Sequence, residues 1–228
     1  HLKTLADYVI MHHFPHLRDD GDKYARFFTD VVERTARLIA QWQAVGWAHG
    51  VMNTDNMSIL GLTLDYGPFG FMDDYDAGFI CNHSDHSGRY AFNQQPYIGL
   101  WNLSCLAQAL LPLVEKDALK AVLESYQPLF DREYLRLMRS KLGLQEERTE
   151  DDGLLRDLLG LLQESHTDYT TLFRELGSFS SATGAANDRL REHFVNRERF
   201  DDWAVRYRDR LRSENSQDVE RRERMNRV

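Results

Sequence analysis

Apolar residues recur at three- and four-residue steps along most of this chain, the spacing that puts them on one face of a helix. Residues 2–14 read as a helix stopped by Pro15, whose ring cannot continue the hydrogen-bond ladder. Over residues 22–45, Tyr24, Phe28, Val31, Leu38, Trp42 and Val45 mark one buried face of a long helix, with Gly46 as its cap. The pattern then breaks. Residues 49–56 read as a loop. Residues 57–60 and 62–64 are short enough to be two strands hinged at Gly61, a small β-hairpin. Residues 67–95 are rich in glycine, aspartate and aromatic residues and have almost no helical period. An irregular stretch of that length inside a domain is functional or disordered, and Phe69, Phe71, Tyr75, Phe79, Tyr90 and Phe92 argue for order.

Helical period returns at Pro96 and runs to about residue 113, with Ile98, Trp101, Leu106 and Leu110 on the apolar side. Further helices are predicted near 117–127, 130–142, 150–164, 167–176, 186–194 and 199–212. The mixed basic and acidic tail after Asn187 reads as a solvated helix face. The fold class expected from this pattern is mainly α.

Composition narrows the choice of function. The 228 residues are 42% hydrophobic and 28% charged, enough for a core and a soluble surface. A formal net charge of -8 argues against a general nucleic-acid or membrane-surface binder. The only cysteines, Cys81 and Cys105, form no disulfide framework and fit a reducing compartment. No run of about 18 apolar residues suggests a membrane span. The chain opens inside a helical pattern without Met and ends in a polar helical pattern without a cap, so a piece of a longer protein is expected.

The candidate chemistry lies in residues 49–67, HGVMNTDNMSILGLTLDYG. The catalytic and metal loops of protein kinases read H-R-D-L-x-x-x-N, then D-F-G after a short hairpin. Here His49 takes the His position, Asn56 the Asn position, and Asp65-Tyr66-Gly67 the D-F-G position. Val51 holds the place of the catalytic aspartate and can neither accept a proton nor orient a hydroxyl. Phosphoryl and nucleotidyl transfer need Mg²⁺ or Mn²⁺ on hard oxygen ligands, and Asn56 and Asp65 would supply such oxygens from two sides of the hairpin. Gly67 would let the chain turn after the metal ligand. Asp55 is the carboxylate nearest the vacated position and suits a proton acceptor; the same residue also suits a turn. His83 and His86 lie in a glycine-bounded loop with no further Cys or His at zinc spacing, so no zinc site is expected.

The stretch HGVMNTDNMSILGLTLDYGPFGFMD resembles the signature of the selenoprotein O (YdiU) family, as do NHSDHSGRYAFNQQPYIGLWNLSCLAQAL downstream and LADYVI near the start. The resemblance implies a protein-kinase-like fold. Residues 1–114 would be the core of its C-lobe, and residues 115–228 a helical continuation of that lobe. The family's N-lobe and its C-terminal redox residue would both be absent. It implies transfer of AMP from ATP, and in bacterial members of UMP from UTP, to Ser, Thr or Tyr hydroxyls of proteins. It assigns Asp55 as proton acceptor, Asn56 and Asp65 as ligands of Mg²⁺ or Mn²⁺, and Asp65 also to nucleotide binding. The implied partners are ATP and hydroxyl-bearing proteins, with no nucleic acid and no membrane. The implied location is the bacterial cytoplasm, or the mitochondrion in a eukaryote. Two further readings stand beside this one: an inactive pseudokinase scaffold, and a phosphotransferase that uses Asp55.

Overall fold

In a computed structural model, which describes residues 1–226, the chain is mainly helical. Ten α-helices are present among the described residues: α1 (Leu2–His13), α2 (Lys23–Ala44), α3 (Gln95–Leu110), α4 (Lys116–Glu124), α5 (Tyr126–Lys141), α6 (Asp151–Ser165), α7 (Tyr169–Leu176), α8 (Asp188–Arg191), α9 (Arg197–Arg212) and α10 (Asp218–Met225). Two short strands, β1 (Trp47–Ala48) and β2 (Gly70–Phe71), pair antiparallel. Local chemistry sets several of the boundaries. Pro15 opens a single 3-10 turn, Pro15–Leu17, after α1. Asp168 caps α7 by accepting from the Thr171 N–H at 2.6 Å, and Asn196 caps α9 by accepting from the Arg199 N–H at 3.1 Å.

Two compact units divide the residues. The first comprises His1–Gln43, Ala48–Gly70 and Ile80–Glu133; the second comprises Ala44–Trp47, Phe71–Phe79 and the chain from Tyr134 onward. In the first, the apolar stripe of α2 is buried: Phe28, Val31, Val32, Ala36, Ile39 and Ala40 are at most 2% exposed. In the second, the leucines of α6 meet the aromatic face of α9, where Trp203 and Tyr207 stack with ring centroids 4.7 Å apart.

The structure departs from the periodic reading in four places. The expected hairpin at 57–64 is contracted to one antiparallel bridge, Met57 with Thr63, turning at Gly61. The paired strands lie at the two ends of the loop instead, at β1 and β2. A Cβ on Gly61 would stand 2.9 Å from Arg34 Cβ, and its φ of +68° belongs to glycine, so the turn presses against α2. Val45 and Trp101, both assigned to buried faces, are 48% and 46% exposed. On α3 the inward place goes to Asn102, because its Nδ2 donates to Met52 O at 2.9 Å and to Ile98 O at 3.0 Å. The helix expected at 186–194 shortens to α8, which begins after Asn187 in the left-handed region (φ 51°).

Candidate active site

Every residue of the candidate site lies in the first unit, on a loop that leaves the C-terminal end of α2. Its anchor is His49, which is fully buried. The His49 N–H donates to Gln95 Oε1 at 2.8 Å. On the ring, Nδ1 accepts from the Val51 N–H at 3.3 Å, and Nε2 lies 2.8 Å from Leu64 O. A carbonyl can only accept, so Nε2 carries the proton and the ring is neutral. Burial agrees, pushing the imidazole below its ordinary pKa against the opposing pull of Leu64 O and Asp65. One imidazole thus ties the start of the loop to the residue before Asp65. Trp42 reinforces this tie: its Nε1 donates to Thr63 Oγ1 at 3.0 Å.

Gly50 follows in the left-handed region, with φ +82°. A Cβ there would stand 2.7 Å from Cys81 Sγ and 3.2 Å from Pro68 Cγ, so only glycine fits. Asn82 Nδ2 donates to Gly50 O at 3.1 Å. The loop then forms a single 3-10 turn, Thr54–Asn56, which carries two of the three candidate residues side by side.

Asn56 uses both hydrogens of its amide. Nδ2 donates to Val51 O at 3.0 Å and to Asp65 Oδ2 at 2.9 Å. These bonds bring Asn56 and Asp65 together across nine residues and leave Asn56 Oδ1 as a free acceptor. Val51 contributes its carbonyl to the arrangement and its side chain nothing polar. Asp65 has a φ of 55°, a conformation that aspartate tolerates better than most residues. The Gly67 N–H closes the turn onto Asp65 O at 2.7 Å. The turn expected at Gly67 is made with the positive φ on Asp65. The following Tyr66 is 63% exposed and meets Phe69 edge-on at 5.4 Å.

Asp55 differs from its neighbours. It is exposed, and among the described residues its carboxylate makes no hydrogen bond or ion pair. His83 and His86 are exposed, and no cluster of three or more His, Cys, Asp or Glu able to hold a metal ion occurs among the described residues.

Three residues that hold this loop escaped the sequence reading. Gln95 accepts from His49, Asn102 donates to Met52 O, and the Tyr90 hydroxyl donates to Asn53 Oδ1 at 2.6 Å. Tyr90 counted there only as one of the aromatic residues that argue for order, and Asn102 left a signal as a lone polar residue between Ile98 and Leu103 on the apolar face of α3.

Comparison with known proteins defines the class: the chain is a homologue of protein nucleotidyltransferases. A family model described as protein adenylyltransferase SelO matches residues 1–228, and the chain belongs to that family. It is 61% identical over 228 residues to the protein nucleotidyltransferase YdiU of Myxococcus xanthus (strain DK1622), a match that covers all of this chain and 47% of that protein. The chain therefore spans about half the length of the curated relative it matches. No helix among the described residues is long and apolar enough to cross a membrane.

Proposed function

We propose that this chain carries the catalytic and metal loops of a protein adenylyltransferase, which moves AMP from ATP to the hydroxyls of Ser, Thr or Tyr in other proteins. The observation that carries the reading is the contrast inside one turn. Asp55 has a free, exposed carboxylate, while the adjacent Asn56 is locked to Asp65 by a 2.9 Å hydrogen bond. A general base has to be free to take a proton, whereas ligand side chains have to be held in place. The family description and the relative's name point to the same chemistry.

In this reading Asp55 accepts the proton of the acceptor hydroxyl. The hydroxyl oxygen bonds to the α-phosphorus, the α–β phosphoanhydride bond breaks, and pyrophosphate leaves. Asn56 Oδ1 and the Asp65 carboxylate are the residues that would hold Mg²⁺ or Mn²⁺. Their donor set fits: two hard oxygens, one of them anionic, suit a cation that takes its remaining ligands from phosphates and water. When bound, such a cation neutralises charge on the transferring phosphate. One carboxylate and one amide are too few for a cage built of protein alone, so metal and nucleotide would bind together. Asp65 thereby also serves the nucleotide. Leu62, Leu64 and Tyr66, exposed beside Asp65, offer apolar surface to the nucleotide or to the rest of the longer protein.

Domain organisation follows the same proposal: residues 1–114 as a kinase-like C-lobe core, 115–228 as its helical continuation, and the nucleotide clamp in the remaining half of the protein. A reducing cytoplasmic setting accords with two unpaired cysteines.

The test uses full-length protein with ATP labelled at the α- or the γ-phosphate. Label from the α position alone should enter protein. Label from the γ position would mean ordinary phosphotransfer. Neither label, with UTP labelled at the α position also inert, would mean a binding scaffold in which Val51 marks the lost activity.

A further inference from the structure

The segment 82–90, NHSDHSGRY, is pinned to the catalytic loop at both ends. Asn82 donates to Gly50 O at 3.1 Å and the Tyr90 hydroxyl donates to Asn53 Oδ1 at 2.6 Å. Between these pins the Asp85 carboxylate is consumed within its own segment. It accepts from the Arg89 N–H at 2.9 Å, the Tyr90 N–H at 2.7 Å and the Ser87 hydroxyl at 3.3 Å. Asp85, the one carboxylate in the segment, therefore does not pair with the Arg89 guanidinium.

Arg89 is instead held by aromatic faces. Its guanidinium lies 4.8 Å from the Trp101 ring centroid and 5.6 Å from that of Tyr90. Among the described residues it makes no ion pair and no side-chain hydrogen bond, and it is exposed. Stacking on rings restricts the guanidinium plane while leaving its N–H edge open, the arrangement that suits a carboxylate. Trp101 and Tyr97, 46% and 65% exposed and one helical turn apart on α3, extend the surface with two aromatic side chains. Aromatic and arginine side chains are those enriched where proteins meet other proteins.

We propose that Arg89 reads an acidic residue of the acceptor protein, close to the hydroxyl that Asp55 serves. The proposal rests on the adenylyltransferase reading and adds a specificity to it. Position favours the acceptor over the nucleotide. Tyr90, the neighbour of Arg89, grips Asn53 at the start of the turn, whereas Asn56 at the end of the turn is joined to Asp65. Asp55 stands between the two. The chain as a whole carries a net charge of -8, which repels acidic partners. An unpaired cation beside the catalytic turn makes such a partner acceptable at this one point.

The experiment measures binding and transfer separately in the full-length protein. The binding probes are two fluorescein-labelled peptides with one central Tyr, flanked by Glu in one and by Gln in the other. Anisotropy should show the Glu peptide binding about fivefold tighter, the scale of an exposed but oriented ion pair, with the ratio falling as salt rises. In Arg89→Ala the ratio should fall to about one. Arg89→Lys should keep part of it, and Arg89→Glu should prefer a Lys-flanked peptide. Equal binding of the Glu and Gln peptides by the unaltered protein, including no measurable binding of either, overturns the proposal. So does an Arg89→Ala protein that keeps the ratio, or one that loses ATP affinity in its place. Transfer of α-label is read in parallel. A retained Glu preference without transfer would uphold the docking role and reject the adenylyltransferase reading.

Discussion

Asp151 in the second unit and Asp55 in the first use the same side chain in opposite ways. In the second unit, Asp151 is 2% exposed and every part of its carboxylate is engaged. It accepts from Arg210 Nε at 2.6 Å, from the other guanidinium arm at 3.2 Å, and from the Arg148 N–H at 3.0 Å. Arg210 is filled in turn by Glu214 Oε1 and Glu146 O, each at 2.7 Å. In the first unit, Asp55 is exposed with no partner and Asp65 receives one side-chain hydrogen bond. A buried charge has to be paired to persist, so a saturated carboxylate reports structure. An open carboxylate on a loop pinned by buried His49, Gln95 and Asn102 is unspent, as the proposed role of general base requires. Residue type alone does not separate the two; the number of partners does.

Substitutions at Asp55 and Asp151 should therefore fail in opposite ways. Asp55→Ala in the full-length enzyme should lower transfer of α-label by about 10²–10⁴-fold, the usual range for a general base. Calorimetric ATP affinity and thermal stability should hardly change, because the exposed side chain makes no hydrogen bond or ion pair. Asp65→Ala should weaken nucleotide binding as well as turnover, since a ligand is lost. An Asp55→Ala enzyme with normal transfer would remove the base assignment; one with lost ATP affinity would make Asp55 a ligand.

Asp151→Ala should do the reverse. Leaving Arg210 buried without its main partner should cost about 3–5 kcal/mol in chemical denaturation, while transfer per folded molecule stays near normal. A loss under about 1 kcal/mol would mean that Glu214 alone satisfies Arg210, and the contrast between saturated and open carboxylates would lose its energetic basis.

Within the second unit, Lys141 is a buried cation with no carboxylate partner among the described residues. Its Nζ donates to Ala44 O at 2.7 Å and sits over the rings of Tyr169 and Phe173, at 4.7 and 4.6 Å. Burial pulls its pKa down from 10.5 to about 8. Between these values the unfolded chain binds the extra proton, so stability should rise with pH from about 8 to 10.5. Below pH 8 the cost of the buried cation is present in full. Lys141→Met should abolish that slope in thermal melts; an unchanged slope would assign it to another group.

Much of the architecture was legible in the sequence because helices report themselves locally. The stripe from Phe28 to Trp42 gave α2 within a residue or two at each end, and Pro15 and Gly46 marked the breaks beside α1 and α2. The three residues stood out as candidates for a similar reason. Asp55, Asn56 and Asp65 fall within one short stretch whose order is informative by itself, and its resemblance to the SelO family agrees with the family match.

Other features depended on contacts between distant residues, which leave no period. Gln95 reaches His49 across 46 residues, Asn102 reaches Met52 across 50, and Tyr90 reaches Asn53 across 37. The hairpin at 57–64 shrank to one bridge because its turn lies against α2 at Arg34, a neighbour that local propensity does not see. Trp101 followed the apolar spacing of α3, yet the helix turned Asn102 inward, where two carbonyls awaited its amide. Which segments coil and which carboxylates are candidates can be read locally, since both are set within a few residues of the chain. Tertiary structure decided which of those carboxylates are spent on partners and which stand open, because a hydrogen bond is satisfied in space and by whatever the fold brings within about 3 Å.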